Sequence, residues 1–409
     1  MVQFRWSIAA LSAHATAVAS VGIPVSFSAA SGTPKGHDYS ELAKQLSSTA
    51  SIYLPGSEEF NDITLRWSNL SAPIASIVVV PGTEDDVVFA NEHSVPFLAT
   101  NGFHGSITTL GQMSHGIEIF LSQLKKVEIS DDGSTATIGG GIRAKDLIDT
   151  LWDAGKQTVT GACECVGYLG PGLGGGHGWL QGHHGLISDQ YLSFNVVVAN
   201  GSLVTIDETS DLFWGMKGAG HNFGIVTSVT SKIYDLEFPN YAIDTIFFSG
   251  DKVEEVYQLW NELSITNGTA PVGLNVWDYW YFDPTIDPEK PVIVNSAPSK
   301  ASPRSGTYRD LAAWTGISLA DGPCQKTGNA NPRFPIYLKE YNPQAQREVY
   351  ELFREATTGP NAHFANSLFM FEGYSQQGVK AFADDASAFA YRSDNLLVAP
   401  LLIYPRARR

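Results

Sequence analysis

Residues 160–190, TGACECVGYLGPGLGGGHGWLQGHHGLISDQ, carry glycine far above its usual frequency. Neither a helix nor a strand tolerates that density, so the segment must be a loop in which backbones approach closely or φ turns positive. Gly170, Gly172 and Gly175 formally match the dinucleotide fingerprint G-x-G-x-x-G. That fingerprint should open a helix and be followed at about 20 residues by an acidic side chain. Here GHGWLQGHHG is a poor helix former and Asp189 comes too early. His177, His183 and His184 could converge on a metal from such a loop, but no nearby carboxylate or further histidine completes the set. Histidines satisfied within the loop are the simpler reading, and no metal site is expected.

Around this segment the chain reads as mixed α and β. The runs SIVVV, VPFLA, GIEIFL and KKVEI predict strands, and Asn200-Gly201 between FNVVVA and SLVTI predicts a hairpin turn. Leu147, Ile148, Leu151 and Trp152 share a face of AKDLIDTLWDAG, with Gly155 just past the helix end. After about Tyr234 the text changes. Val253, Val256, Tyr257 and Trp260 form a helical stripe before the aromatic run NVWDYWYFDP. A further helix starts at Asn342-Pro343 and carries Val349, Leu352, Phe353 and Ala356, while SAPSKASPRSGT at 296–307 predicts an exposed loop. We expect an α+β protein of two domains, divided near residue 236.

The 409 residues suffice for two ordinary cores, and a formal net charge of -16 with a pI near 5.0 opposes binding to a phosphate backbone. Nucleic acid is excluded as a partner, and nothing indicates an oligomeric state. Residues 1–20 place Arg5 before a mildly apolar run ending in Ala17-Val18-Ala19, the pattern of a cleavable secretion signal and too weakly apolar to span a bilayer. The sequons at Asn69, Asn200 and Asn267 are compatible with a secreted glycoprotein. Cys163, Cys165 and Cys324 leave one sulfur over however they pair.

Several blocks agree in order and spacing with one family. PIASIVVVPGTEDD, PFLATNGFHGS, IGGGIRAKDLIDTLWDAG, the glycine-rich segment and DLFWGMKGAGHNFGIVTSVTSKIYD, together spanning about 72–236, resemble flavoproteins with a PCMH-type (vanillyl-alcohol-oxidase-type) FAD-binding domain, in the fungal berberine-bridge-like and oligosaccharide-oxidase-like branch. The resemblance implies an FAD domain at about 37–236 and a substrate domain at about 237–409, built on an antiparallel sheet with helices. It implies that Thr100, Asn101, Gly102, Phe103, His104, Gly105 and Ser106 wrap the pyrophosphate with backbone amides. It also implies FAD contacts at Val166, Gly167, Gly172, Gly175, Gly176, Gly178, Ile225 and Val226. The histidine bonded to the flavin 8-methyl carbon corresponds to His104. The cysteine bonded to C6 lies in Gly-x-Cys-x-x-Val-Gly, which selects Cys163 and leaves Cys165 a bystander.

The implied reaction is hydride removal from a C–H beside an alcohol or amine of a bulky sugar-like or secondary-metabolite substrate, with O2 as electron acceptor. Three departures bear on it. Phe103 replaces a usual glycine, the junction GTEDDVVFANEHSVPF is about one helical turn short, and the text stops at PLLIYPRARR where relatives continue to a segment beside the flavin. Tyr279 and Tyr281, alternating with Asp278, are then the remaining candidates for the catalytic base. A flavin binder without activity is the rival the last departure suggests, and a metal enzyme using the histidine loop is the other.

Overall fold

The computed structural model describes residues 40–90, 95–265, 270–297, 304–359 and 362–405. The first half holds two sheets. In one, strands Ser51–Tyr53, Ile74–Val80, Ser114–Phe120 and Phe97–Thr100 lie in that order, and the last three are parallel. Ile77, Val78, Val79 and Val80 are all buried, as expected of a parallel strand covered on both faces. The other is fully antiparallel, in the order Val127–Ile129, Thr135–Gly139, Ile225–Lys232, Tyr191–Val197 and Leu203–Asp207. Its last two strands form the predicted hairpin, with Gly201 at φ +82°. The predicted helix runs Ala144–Asp153 and buries Leu147 and Leu151. Helix Glu84–Ala90 is held at its start by Asp86, which accepts from the Gly82 and Thr83 amides, and it docks through Glu84 onto Thr227 and Ser228.

The second half is a seven-stranded antiparallel sheet: Arg304–Gly306, Tyr241–Phe248, Val292–Ala297, Val276–Tyr281, Leu368–Gly373, Leu396–Leu401 and Ile336–Leu338. Alternation along these strands separates two faces. Trp280, Ile293, Phe371 and Val398 pack under helices Val253–Ser264 and Pro343–Thr357, against Tyr257, Tyr350 and Phe353. Trp277 and Tyr279 point the other way, toward the first half.

Two expectations need correction here. Asn342 does cap helix Pro343–Thr357, accepting from the Ala345 amide at 3.1 Å, but the buried stripe is Gln346, Tyr350, Phe353 and Thr357, and Leu352 is exposed. Tyr350 packs edge-on against Trp280 of the sheet beneath, so tertiary packing overrides the more apolar stripe. The Ser/Pro-rich stretch is also less loop than expected, because Ser296, Ala297 and Arg304–Gly306 are drawn into strands beside Tyr241–Phe248.

The glycine-rich segment lies between the halves. Its helical pieces are single four-residue turns, Leu169–Gly172, Gln181–His184 and Ile187–Gln190, and Gly175 and Gly176 take φ of +105° and +78°. Trp179 stacks on Trp277 at 4.1 Å between centroids. His177 contacts Gln181 at 2.9 Å and the Tyr337 hydroxyl at 3.2 Å, while His183 and His184 both reach Glu237. Asp189 forms a bidentate pair with Arg392 at 2.9 and 2.6 Å, with both side chains almost wholly excluded from solvent.

Removing one member of such a pair strands a buried charge. Arg392→Leu should lower the unfolding free energy by about 3–5 kcal/mol in denaturant titration. Arg392→Leu with Asp189→Asn, which discards the stranded charge, should recover a measurable part. A single variant no weaker than an ordinary surface substitution would refute this role.

Candidate functional site

Strand Phe97–Thr100 ends in a loop, Asn101–Ser106, that folds back over the Cys163–Gly167 turn. The two backbones are so close that a side chain on Gly102 would lie 2.5 Å from the Cys165 carbonyl. Asn101 donates to the Ile142 carbonyl at 2.8 Å, and its Oδ1 is buried with no partner among the described residues. Phe103 is buried at φ +60°, a conformation costly for a side chain with a β-carbon. Its ring holds it there: it packs on Phe120 at 4.9 Å and lies under the Lys326 ammonium, 4.5 Å from the ring centroid. The residue that departs from the family's glycine is thus tied into the core. Gly105 is exposed, and its carbonyl accepts from Arg66 at 3.4 Å.

His104 stands at the centre. Its Nε2 is 3.1 Å from the Cys165 sulfur, and its ring stacks on Trp67 at 5.4 Å. Burial, then the charges of Arg333, Lys326, Arg143 and Arg66, push its pKa down to about 4. The imidazole is therefore neutral near pH 7 and keeps a nucleophilic nitrogen. Of the four cations, Arg66 has a buried carboxylate partner, Glu118, at 3.4 Å. Lys326 is pushed below its ordinary value by burial, then by Arg143 and Arg66. Such an excess of positive charge beside a backbone loop suits a dianionic pyrophosphate. The donor set therefore fits FAD.

Cys165 is disulfide-bonded to Cys324, and Cys163 is the free thiol, 3.7 and 3.8 Å from the two paired sulfurs. The expected flavin cysteine is thus the one left reduced. Val166 and Gly167 continue this turn, Gly167 against Asn101. The other glycines serve chain contacts: a β-carbon at Gly172, Gly175, Gly176 or Gly178 would strike Tyr191, Phe389, Ile187 or Thr160, respectively. Ile225 and Val226 are buried at the start of their strand, where Gly140 lies against the Val226 carbonyl.

The substrate-side sheet supplies the opposite wall. Tyr279, with Met370 and Ala399 beside it in register, packs against the cluster that contains Trp67 and lies within electrostatic reach of Arg333 and Cys163. Its hydroxyl is buried without a partner among the described residues, and burial, then Glu372, hold its ionisation well above the usual phenol value. Tyr281 shares that face but is only half-buried. Asp278 does not join the site. It points into the helix-covered layer, bonded to Asn295 at 2.5 Å, and burial pushes its carboxyl up to about 7. Lys326, Arg333 and Glu372 belong to the site and were not foreseen. They lie beyond the motif-bearing half, and only the sheet register brings them to it.

A family profile described as an FAD binding domain matches residues 75–207. The chain is 55% identical over 391 residues to the FAD-linked oxidoreductase chyH of Penicillium rubens, covering 90% of this chain and 78% of the relative. It is 50% identical over 403 residues to the FAD-linked oxidoreductase chry5 of Gibberella zeae, covering 90% and 79%. Among solved structures, the BBE-like 1 protein of Physcomitrella patens superposes with a TM-score of 0.74 at 20% identity, covering 89% of this chain and 83% of that one. The xylooligosaccharide oxidase of Myceliophthora thermophila, solved with xylobiose, does so with 0.74 at 20%, covering 89% and 82%.

The depressed imidazole has a thermodynamic consequence in flavin-free protein. The unfolded chain protonates His104 near its ordinary value of 6.5, whereas the folded chain does so only near 4, so this residue costs stability as pH falls between the two. His104→Gln should remove that cost. Its stability relative to the parent should rise by up to about 3 kcal/mol from pH 7 to pH 4 in unfolding titrations. A constant difference across that range would refute the assignment.

Proposed function

The chain belongs to the FAD-linked oxidoreductases, with a PCMH-type FAD-binding domain and a berberine-bridge-like fold, and on that premise we propose that it oxidises an alcohol- or amine-bearing carbon of a bulky sugar-like or secondary-metabolite substrate. The observation that carries this reading is the meeting, in one region, of a neutral His104, a free Cys163, four cations and a Tyr279 hydroxyl that has no partner among the described residues. Bound FAD supplies the two-electron acceptor, and O2 is the proposed terminal oxidant.

His104 and Cys163 are the proposed attachment points, to the 8-methyl carbon and C6. Cys163 would give up its thiol proton to such a bond, and bound FAD would supply the electron acceptor that the attachment needs. Arg66, Arg143, Lys326 and Arg333 balance the charge of the cofactor. Tyr279, whose phenol is kept protonated by burial in the free protein, hydrogen-bonds to the substrate hydroxyl or amine, and it accepts the substrate proton only once bound cofactor and substrate bring it to its ionised form. Arg333 is the cation that favours its ionised form, against the opposing effects of burial and Glu372. Tyr281 flanks the same wall, and Asp278 acts only on the sheet's far side.

Export is also proposed. A disulfide between Cys165 and Cys324 suits an oxidising compartment, and Asn200 is exposed on its hairpin turn, open to glycosylation. Asn69 is half-buried and donates to the Gly328 carbonyl at 3.1 Å. Residues 1–20 and Asn267 lie outside the described residues. Among the described residues no helix is long and apolar enough to cross a membrane.

Acid-precipitated protein should stay yellow, and release of all flavin into the supernatant would overturn both attachments. Tyr279→Phe should slow flavin reduction by a reactive alcohol roughly 100-fold or more, while Asp278→Asn should leave that rate nearly unchanged. Equal effects of the two would remove Tyr279 from its role. Expressed in a fungal host, the protein should reach the medium glycosylated at Asn200, and retention inside the cell with Met1 intact would refute export.

A further inference from the structure

Three sulfurs meet beside His104, yet flavin attachment uses one. Cys163 lies 3.7 Å from the Cys165 sulfur and 3.8 Å from that of Cys324, so it is within reach of either end of their disulfide. The pairing partner comes from the second half of the chain, 159 residues away. Its loop is held in place without the disulfide: the Glu164 amide donates to the Ile317 carbonyl at 3.2 Å, and the Glu164 carboxylate accepts from the Leu319 amide at 2.8 Å. Asp321 closes the same loop by accepting from the Ser318 amide at 2.8 Å. Cys324 therefore stays opposite both Cys163 and Cys165 when the bond opens.

We propose that Cys324 directs flavin attachment: by pairing with Cys165 it keeps Cys163 the one thiol open to the ring, and a shift of the pairing to Cys163–Cys324 leaves the flavin held by His104 alone. This rests on the reading of Cys163 as an attachment point. The shift is a thiol–disulfide exchange with no net oxidation. The Cys163 thiolate attacks the Cys324 sulfur, the Cys163–Cys324 bond forms and the Cys165–Cys324 bond breaks. Cys165 departs with the electron pair and takes up the proton that Cys163 lost. His104 Nε2, 3.1 Å from the Cys165 sulfur, is placed to hydrogen-bond to the leaving group. Burial pushes the Cys163 thiol up to about 11, which keeps exchange slow near neutral pH and preserves the productive pairing. Without Cys324, Cys163 and Cys165 are each other's nearest sulfur. A disulfide oxidant such as glutathione disulfide then joins them, two thiols giving up two protons and two electrons while the oxidant becomes two glutathione thiols.

The test compares the full chain with Cys324→Ser and with Cys324→Ser/Cys165→Ser. Each is matured in glutathione buffer, trapped in acid with N-ethylmaleimide and mapped by mass spectrometry. In the parent, Cys165–Cys324 should be paired, with Cys163 bearing flavin or, in flavin-free molecules, the maleimide. Cys324→Ser should contain Cys163–Cys165, lose the cysteinyl flavin and keep the histidyl one. The double variant should regain the cysteinyl bond, which separates lost direction from damaged folding. Cys163 remaining flavin-bearing or maleimide-bearing in Cys324→Ser to the same extent as in the parent would overturn the proposal, as would a double variant that stays unmodified at Cys163. A parent whose Cys163 takes maleimide but never flavin would instead sink the attachment reading and, with it, the directing role.

Discussion

The bidentate pair between Asp189 and Arg392 is the contact on which the meeting of the two halves depends. Two charges taken out of water are tolerable only when each is satisfied almost completely. Asp189 accepts both guanidinium nitrogens and also the Leu186 amide, while Arg392 donates in addition to Ser387. Arg392 stands in the turn just before strand Leu396–Leu401, so the pair pins that end of the seven-stranded sheet to the glycine-rich segment, and with it the face that the sheet's register presents there. Trp179 on Trp277 and His177 against Tyr337 then fall into place around it.

That register decides what faces the FAD loop. Because side chains alternate along a strand, orienting Trp277 and Tyr279 toward the first half commits Asp278 and Trp280 to the helix-covered layer. The same geometry explains why a carboxylate beside two tyrosines in sequence is chemically remote from them. Asp278 is bonded to Asn295 and raised by burial, whereas Tyr279 packs against the cluster that contains Trp67.

The electrostatics of the site follow from its makeup. Four cations around one imidazole would be repulsive without an anion to share, and Glu118 pairs directly with Arg66 alone. A bound dinucleotide would relieve that excess, and the low proton affinity of His104 leaves its imidazole neutral near pH 7. The disulfide at Cys165 adds a covalent constraint beside this field and leaves Cys163 free.

The sequence by itself determined most of the elements, because these are local. Short apolar runs marked strands from Ser76 onward, a helical stripe marked the helix Ala144–Asp153, Asn200-Gly201 marked a hairpin, and the family resemblance around Gly161-x-Cys163-x-x-Val166-Gly167 pointed to one cysteine. Only the tertiary structure decided the rest. The partner of Cys165, the partner of Asp189 and the cations Lys326 and Arg333 come from residues more than a hundred positions away, and no periodicity encodes which distant loop a strand register will deliver. The buried stripe of helix Pro343–Thr357 shows the same limit, since packing on Trp280 of the sheet beneath, and not the helix's own apolar pattern, buries Tyr350 and leaves Leu352 exposed.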